Sequence, residues 1–156
     1  MDGFGEDILK ELTPWTKRGL ITAVDEGASP LFQLPERYPF DIGRLQYWRL
    51  AGTKAVVLRT EHAIDWEHVR LFLKFVRQWG NIGADELVYW IGDNTALDFC
   101  LGFSTLREVC HVLFGWPQHS YVAPESLNWC LHHTFEEDLV YCVAPEGFRS
   151  RSRTRR

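Results

Sequence analysis

No apolar run in this chain approaches the roughly 18 residues that would cross a bilayer as a helix. The N-terminus, MDGFGEDILKEL, lacks the basic opening and long apolar stretch of a secretory leader. Cysteine is sparse: Cys100, Cys110, Cys130 and Cys142 lie 10, 20 and 12 residues apart, a spacing that fits no zinc framework. With no leader, these residues are expected to be reduced thiols of a cytoplasmic protein. The sequence signatures of common cofactor and catalytic sites are missing too. GxGxxG, the P-loop, GxSxG, HExxH and CxxC do not occur. The expectation is a chain without cofactor, bound metal or membrane contact.

What is present is a core. Apolar residues make up 46% of the 156, seven of them Trp, which excludes disorder for the body. Such a length fits one domain, and we expect it over residues 1–148. The charge is unevenly spread: 21 acidic residues face twelve basic ones in 1–148, a net −9, while five arginines fill 149–156. The tail RSRSRTRR has nothing apolar to bury and is expected to be disordered. An acidic body repels phosphates, so nucleic-acid binding is expected, if anywhere, only through 149–156.

The strongest periodic signal is Asp65–Gly80, DWEHVRLFLKFVRQWG. On a helical wheel its apolar residues cover an arc of roughly 220°, well beyond the ~100° stripe of an ordinary surface helix. The pattern predicts a helix over 65–80, with Asp65 as N-cap, a left-handed Gly80 as its stop, and cover on more than one side. A second helix is predicted over 105–114, opened by a capping box from Thr105 to Glu108, and a short one over 4–12, ended near Pro14. Leu87–Gly92 reads as an inner strand. Leu97, Phe99, Leu101 and Phe103 alternate with small or acidic residues, the period of a half-buried strand. Leu20–Val24 with Leu31–Leu34, and Arg44–Leu50 with Lys54–Thr60 around Ala51-Gly52-Thr53, read as hairpins; LPERYPF between them reads as loop. Leu127–His133 and Leu139–Ala144 form a third hairpin with His133 opposite Leu139, although Leu127, Cys130, Leu131 and Thr134 fit a helical period as well. The fold expected is an α+β two-layer sandwich: a mostly antiparallel sheet with helices packed on it.

Four groups of residues could carry chemistry. Cys130, His132, His133 and Cys142 have ligand types suited to a soft metal, but the reading preferred is two buried thiols acting as small hydrophobes with histidines at a strand end. Cys110-His111 fails as a nucleophile–base pair, because adjacent helical residues point about 100° apart. The third group is acidic and aromatic and lies on predicted loops: Asp85, Glu86, Asp93, Trp116, Tyr121, Glu136, Glu137 and Asp138. Aromatic anchors within a charged rim are the usual composition of a protein interface. The fourth is the arginine tail.

The reading that follows is a noncatalytic binding protein, an acidic inhibitor that covers a basic protein partner. In type it resembles the cognate immunity proteins of bacterial toxins, which are small, acidic and α+β and share no motif; the resemblance carries over no residue. Two alternatives remain. One is a small hydrolase-like enzyme using His119, His132, His133 and Asp98 near the 116–125 loop. The other is a homodimer formed through the wide apolar helix.

Overall fold

The computed structural model describes residues 3–25, 28–50, 55–60 and 63–146. The tail 149–156 and the Ala51-Gly52-Thr53 turn lie outside the described residues. The helices are α1 (Gly5–Glu11), α2 (Thr13–Lys17), α3 (Leu34–Arg37), α4 (Trp66–Trp79) and α5 (Phe103–Leu113). The strands are β1 (Ile21–Val24), β2 (Phe40–Asp41), β3 (Arg44–Leu45), β4 (Ala55–Leu58), β5 (Leu87–Gly92), β6 (Asp98–Gly102), β7 (Ser120–Ala123), β8 (Trp129–His133) and β9 (Leu139–Val143). Seven strands form one antiparallel sheet in the order β1-β6-β5-β7-β8-β9-β4, and β2-β3 is a separate small hairpin. The α+β class is therefore established. No helix among the described residues is long and apolar enough to cross a membrane.

Strand alternation sends successive side chains to opposite faces, and both faces are covered. On one, Val88, Trp90, Phe99, Leu101, Leu131 and Tyr141 meet the buried residues of α1, α4 and α5. On the other, Tyr121, Ala123, Cys130, Val140 and Cys142 pack beneath Leu31, Leu34, Tyr38, Leu45 and Leu50. The helical layer on the sheet is the one expected; the 28–50 segment adds cover on the reverse face. It is pinned there by Tyr38, whose hydroxyl donates to the Leu127 carbonyl at 2.8 Å, and by Arg37, which bonds the Ser126 carbonyl and Asn128.

The third hairpin is as expected, with His133 opposite Leu139 and Cys130 opposite Cys142. The first two are not hairpins. Ile21–Val24 pairs with β6, and residues 30–33 form a 3-10 turn that leads into α3, so LPERYPF is helical at its start. Arg44-Leu45 pairs with Phe40-Asp41, while Ala55–Leu58 pairs with β9. For Ile21–Val24 and Ala55–Leu58 the partner strand lies far along the sequence, where local turn chemistry gives no signal.

Helix α4 runs as predicted, and the Asp65 carboxylate accepts the N–H groups of Glu67 and His68 at 3.0 and 3.4 Å. Its stop differs. Gly80 keeps a right-handed φ of −85°, and Asn81 takes the left-handed position at φ 50°. The N–H of Ile82 closes on the Arg77 carbonyl and that of Asn81 on the Gln78 carbonyl, which is a Schellman closure. A Cβ at position 80 would lie 2.8 Å from the Tyr141 hydroxyl, so a larger residue there would force that side chain to shift. Cover is also less complete than the arc implied. Val69, Phe72, Leu73 and Val76 are buried, but Leu71, Phe75 and Trp79 are exposed, with Phe75 and Trp79 stacked on each other. Helix α5 starts two residues before the capping box; Thr105 is buried inside it, and Gly102 is the N-cap without a side-chain bond. At the N-terminus the chain bends at Leu12 and continues as α2, where Pro14 sits in the first turn and needs no N–H partner.

Candidate functional site

The reverse face of the sheet carries an aromatic ladder. Phe40 of β2 packs on Tyr121 of β7 at 5.5 Å, Tyr121 stacks on His132 of β8 at 4.4 Å, and His132 faces His119 at 5.2 Å, with Phe135 beyond it. Neighbouring strands place side chains of one face beside one another, which is why Tyr121 and His132, paired in register, stack. Nδ1 of His119 and Nε2 of His132 are 3.0 Å apart, so one ring donates to the other. Their outer nitrogens, Nε2 of His119 and Nδ1 of His132, are buried without a hydrogen-bond partner among the described residues.

This pair forms the floor of a half-open cavity of about 310 Å³, whose walls include Arg44, Tyr47, Trp48, Thr134, Glu136 and Asp138. Burial pushes His132 down to about 3, helped by the neighbouring histidines and Arg44. His119 is lowered by burial and by Arg44, against the pull of Asp93 and Glu136. Both rings are therefore neutral at pH 7, and the charge at the mouth comes from Arg44 and the carboxylates.

Two turns build the rim. The β2–β3 hairpin turns on Ile42 and Gly43, both at positive φ (49° and 71°), the signs of a type I′ turn. Ile42 is 93% exposed. A β-branched residue in the left-handed region is strained, so an apolar tip is held out at a cost to the fold. The Tyr121 hydroxyl anchors this hairpin from below, accepting the Leu45 N–H at 3.4 Å and donating to the Gly43 carbonyl at 3.5 Å. The β8–β9 turn closes through Thr134 N–H to the Asp138 carbonyl, with Glu137 left-handed at φ 70°. Thr60 ties the turn to the strand beside it, its N–H to Asp138 Oδ1 and its hydroxyl to the Glu137 carbonyl. Trp48 (66% exposed) lines the mouth, and Phe135 (56% exposed) lies against His119.

Of the residues expected at an interface, Glu136 and Asp138 line this cavity, Glu137 lies between them in the turn, and Asp93 lies next to it with its N–H bonded to the His119 carbonyl. Tyr121 belongs to the site but is buried beneath it as a support rather than presented as an anchor. Trp116 is half-buried against Phe4 and the helical core. Asp85 and Glu86 lie at the opposite end of β5 from Asp93, where Glu86 closes the Gly83 turn. The histidine set is divided. His133 points to the helical face against Phe114, and Asp98 is buried in β6. Cys130 and Cys142 are buried free thiols, pushed up by burial, and no group of three or more potential metal ligands converges among the described residues. Ile42, Arg44, Trp48 and Phe135 did not stand out in the sequence. The available signals were a glycine two residues into an Asp-Ile-Gly turn and an aromatic set inside the acidic turn 134–138.

No family model, curated protein or solved structure matches the chain.

Proposed function

We propose that the chain is a noncatalytic binding protein, an inhibitor of the immunity type, that neutralises a basic protein partner by covering it with this rim. The observation that carries the reading is a half-open cavity lined by exposed Trp48 with Glu136 and Asp138, with exposed Ile42 in the turn beside Arg44, Phe135 next to His119 and Asp93 bonded to His119. Apolar anchors at the centre and charge at the edge are the composition of a binding hot spot, and an acidic rim steers a basic partner into encounter. The strained Ile42 supports the same reading, because residues held in unfavourable backbone regions gather at functional sites.

The test is association kinetics with the protein that co-purifies from the native cell, at two salt concentrations. Glu136→Lys combined with Asp138→Lys should slow association with the fold unchanged. Trp48→Ala should mainly speed dissociation, costing about 2 kcal/mol or more. A salt-insensitive association rate with wild-type kinetics for both variants would sink the reading.

A second reading, a small hydrolase-like enzyme, rests on the 3.0 Å contact of His119 and His132 beside Glu136 and Asp138. A general base works best with a pKa near the working pH, and His132 at about 3 is far from it. The binding reading is therefore preferred.

A further inference from the structure

The groove between α4 and α5, on the helical face, holds a second cavity, of about 320 Å³, lined by Lys74, Arg77, Gln78, Asn81, Ile82 and Arg107. Three of these side chains are cationic and none is acidic, in a body where acidic residues are in excess. None of the three cations forms a salt bridge with another described residue. Like charges brought to one cavity repel each other, and among the described residues no carboxylate lines the cavity to offset that.

The individual groups are also prepared for a ligand. Arg77 Nε donates to the Ile82 carbonyl at 3.1 Å, which fixes the guanidinium across the end of α4 and leaves its terminal nitrogens without a partner among the described residues. Arg107 rises from α5 half-buried, and its Nε is buried with no hydrogen-bond partner there. A helix C-terminus ordinarily opposes an anion. Here the Val76, Arg77 and Gln78 carbonyls are already engaged by the N–H groups of Gly80, Ile82 and Asn81, which leaves fewer bare carbonyl oxygens at that end to oppose an anion. Two arginine forks on separate helices, with a lysine one turn before the first on α4, match the several oxygens of a tetrahedral oxyanion.

We propose that this cleft binds the phosphate group of a small anionic ligand, held between Arg77 and Arg107 with Lys74 as a point charge. Its volume is at the low end of ligand pockets, enough for a phosphate or pyrophosphate group and too small for an extended strand. The site lies on the helical face and does not depend on the reading of the acidic rim.

Isothermal titration calorimetry of the full chain at low ionic strength, with inorganic phosphate and with pyrophosphate, tests it. Saturable one-site binding is expected, tighter for pyrophosphate. Arg107→Gln and Lys74→Gln should each weaken it by about tenfold, the loss of one charge-assisted contact, and Arg44→Gln on the other face should leave it unchanged. Lys74 is exposed, so its variant reads the site even if Arg107→Gln disturbs the fold. Heats no larger than those of chloride at equal ionic strength, or affinities unchanged in both cleft variants, overturn the proposal. Binding of a short oligothymidylate without binding of pyrophosphate overturns it too, by assigning the cleft to a nucleic-acid backbone.

Discussion

Ile42 shows at the scale of one residue how fold and function pull apart. Its left-handed backbone disfavours a β-branched side chain by about 1–2 kcal/mol, and its side chain makes no use of burial, being 93% exposed. Asparagine tolerates that backbone region and is the usual first residue of a type I′ turn. Ile42→Asn is therefore expected to raise stability by about 1 kcal/mol in urea unfolding and, at the same time, to weaken partner binding. A variant that is more stable and binds as well as the wild type would remove Ile42 from the interface. The residue was not legible from the sequence, because the strain arises from a two-residue turn whose flanking strands are only two residues long. Tyr121 was legible as an important aromatic but not as a buried one. Its place beneath the rim depends on Phe40 and the Gly43 carbonyl, more than 75 residues earlier.

At the scale of elements, α4 was the most readable part of the chain, and its periodicity and Asp65 cap are both realised. The breadth of its apolar arc was read correctly, but what the arc faces was not. The sheet buries Phe72 and leaves Phe75, three residues on, 42% exposed. Phe72→Ala should therefore cost about 3–5 kcal/mol by opening a cavity. Phe75→Ala should cost under about 1 kcal/mol, since it loses mainly its stacking on Trp79. Equal losses in denaturant midpoints would mean that the exposed flank is covered in solution, as in the homodimer alternative. The β8–β9 hairpin was also readable to its register, because both strands and the turn are contiguous in sequence. β1 and β4 were assigned to neighbours in sequence, whereas their partners, β6 and β9, lie some 75–85 residues further on. Period-2 patterning reports that a strand exists and is silent about which strand it joins.

Across the whole molecule, the cavities on the two sides of the sheet differ in charge. The cavity on the reverse face carries Glu136 and Asp138 against one cation, Arg44, while the α4–α5 groove presents Lys74, Arg77 and Arg107. A basic partner is drawn to the first and repelled by the second, which is why the exposed stripe Leu71, Phe75 and Trp79, on the same helix as two of those cations, is not assigned to that partner. Between the faces lies a sheet that carries buried neutral histidines, and these link its stability to pH. Burial lowers His132 to about 3 and His133 to about 4, from an ordinary value of 6.5. In the unfolded chain both rings take up protons as pH falls below about 6.5, while in the folded chain they stay neutral until about 4 and below. The unfolded state thus binds more protons throughout that window, so stability rises with pH across it and is lost on acidification. Each ring contributes a slope of up to about 1.4 kcal/mol per pH unit. Ordinary carboxylates protonate mostly near and below pH 4.3, so urea unfolding at pH 7.5, 6 and 5 reads mainly the histidines. The free energy of unfolding is expected to fall steeply from pH 6 to pH 5. His133→Leu should reduce that slope without abolishing it, since His119 and His132 remain, and, at pH 7.5, should stabilise the fold, because neither His133 ring nitrogen has a hydrogen-bond partner among the described residues. An unfolding free energy that stays flat between pH 7.5 and 5 would mean that these rings are solvated in the folded protein and are not the neutral core of the sheet.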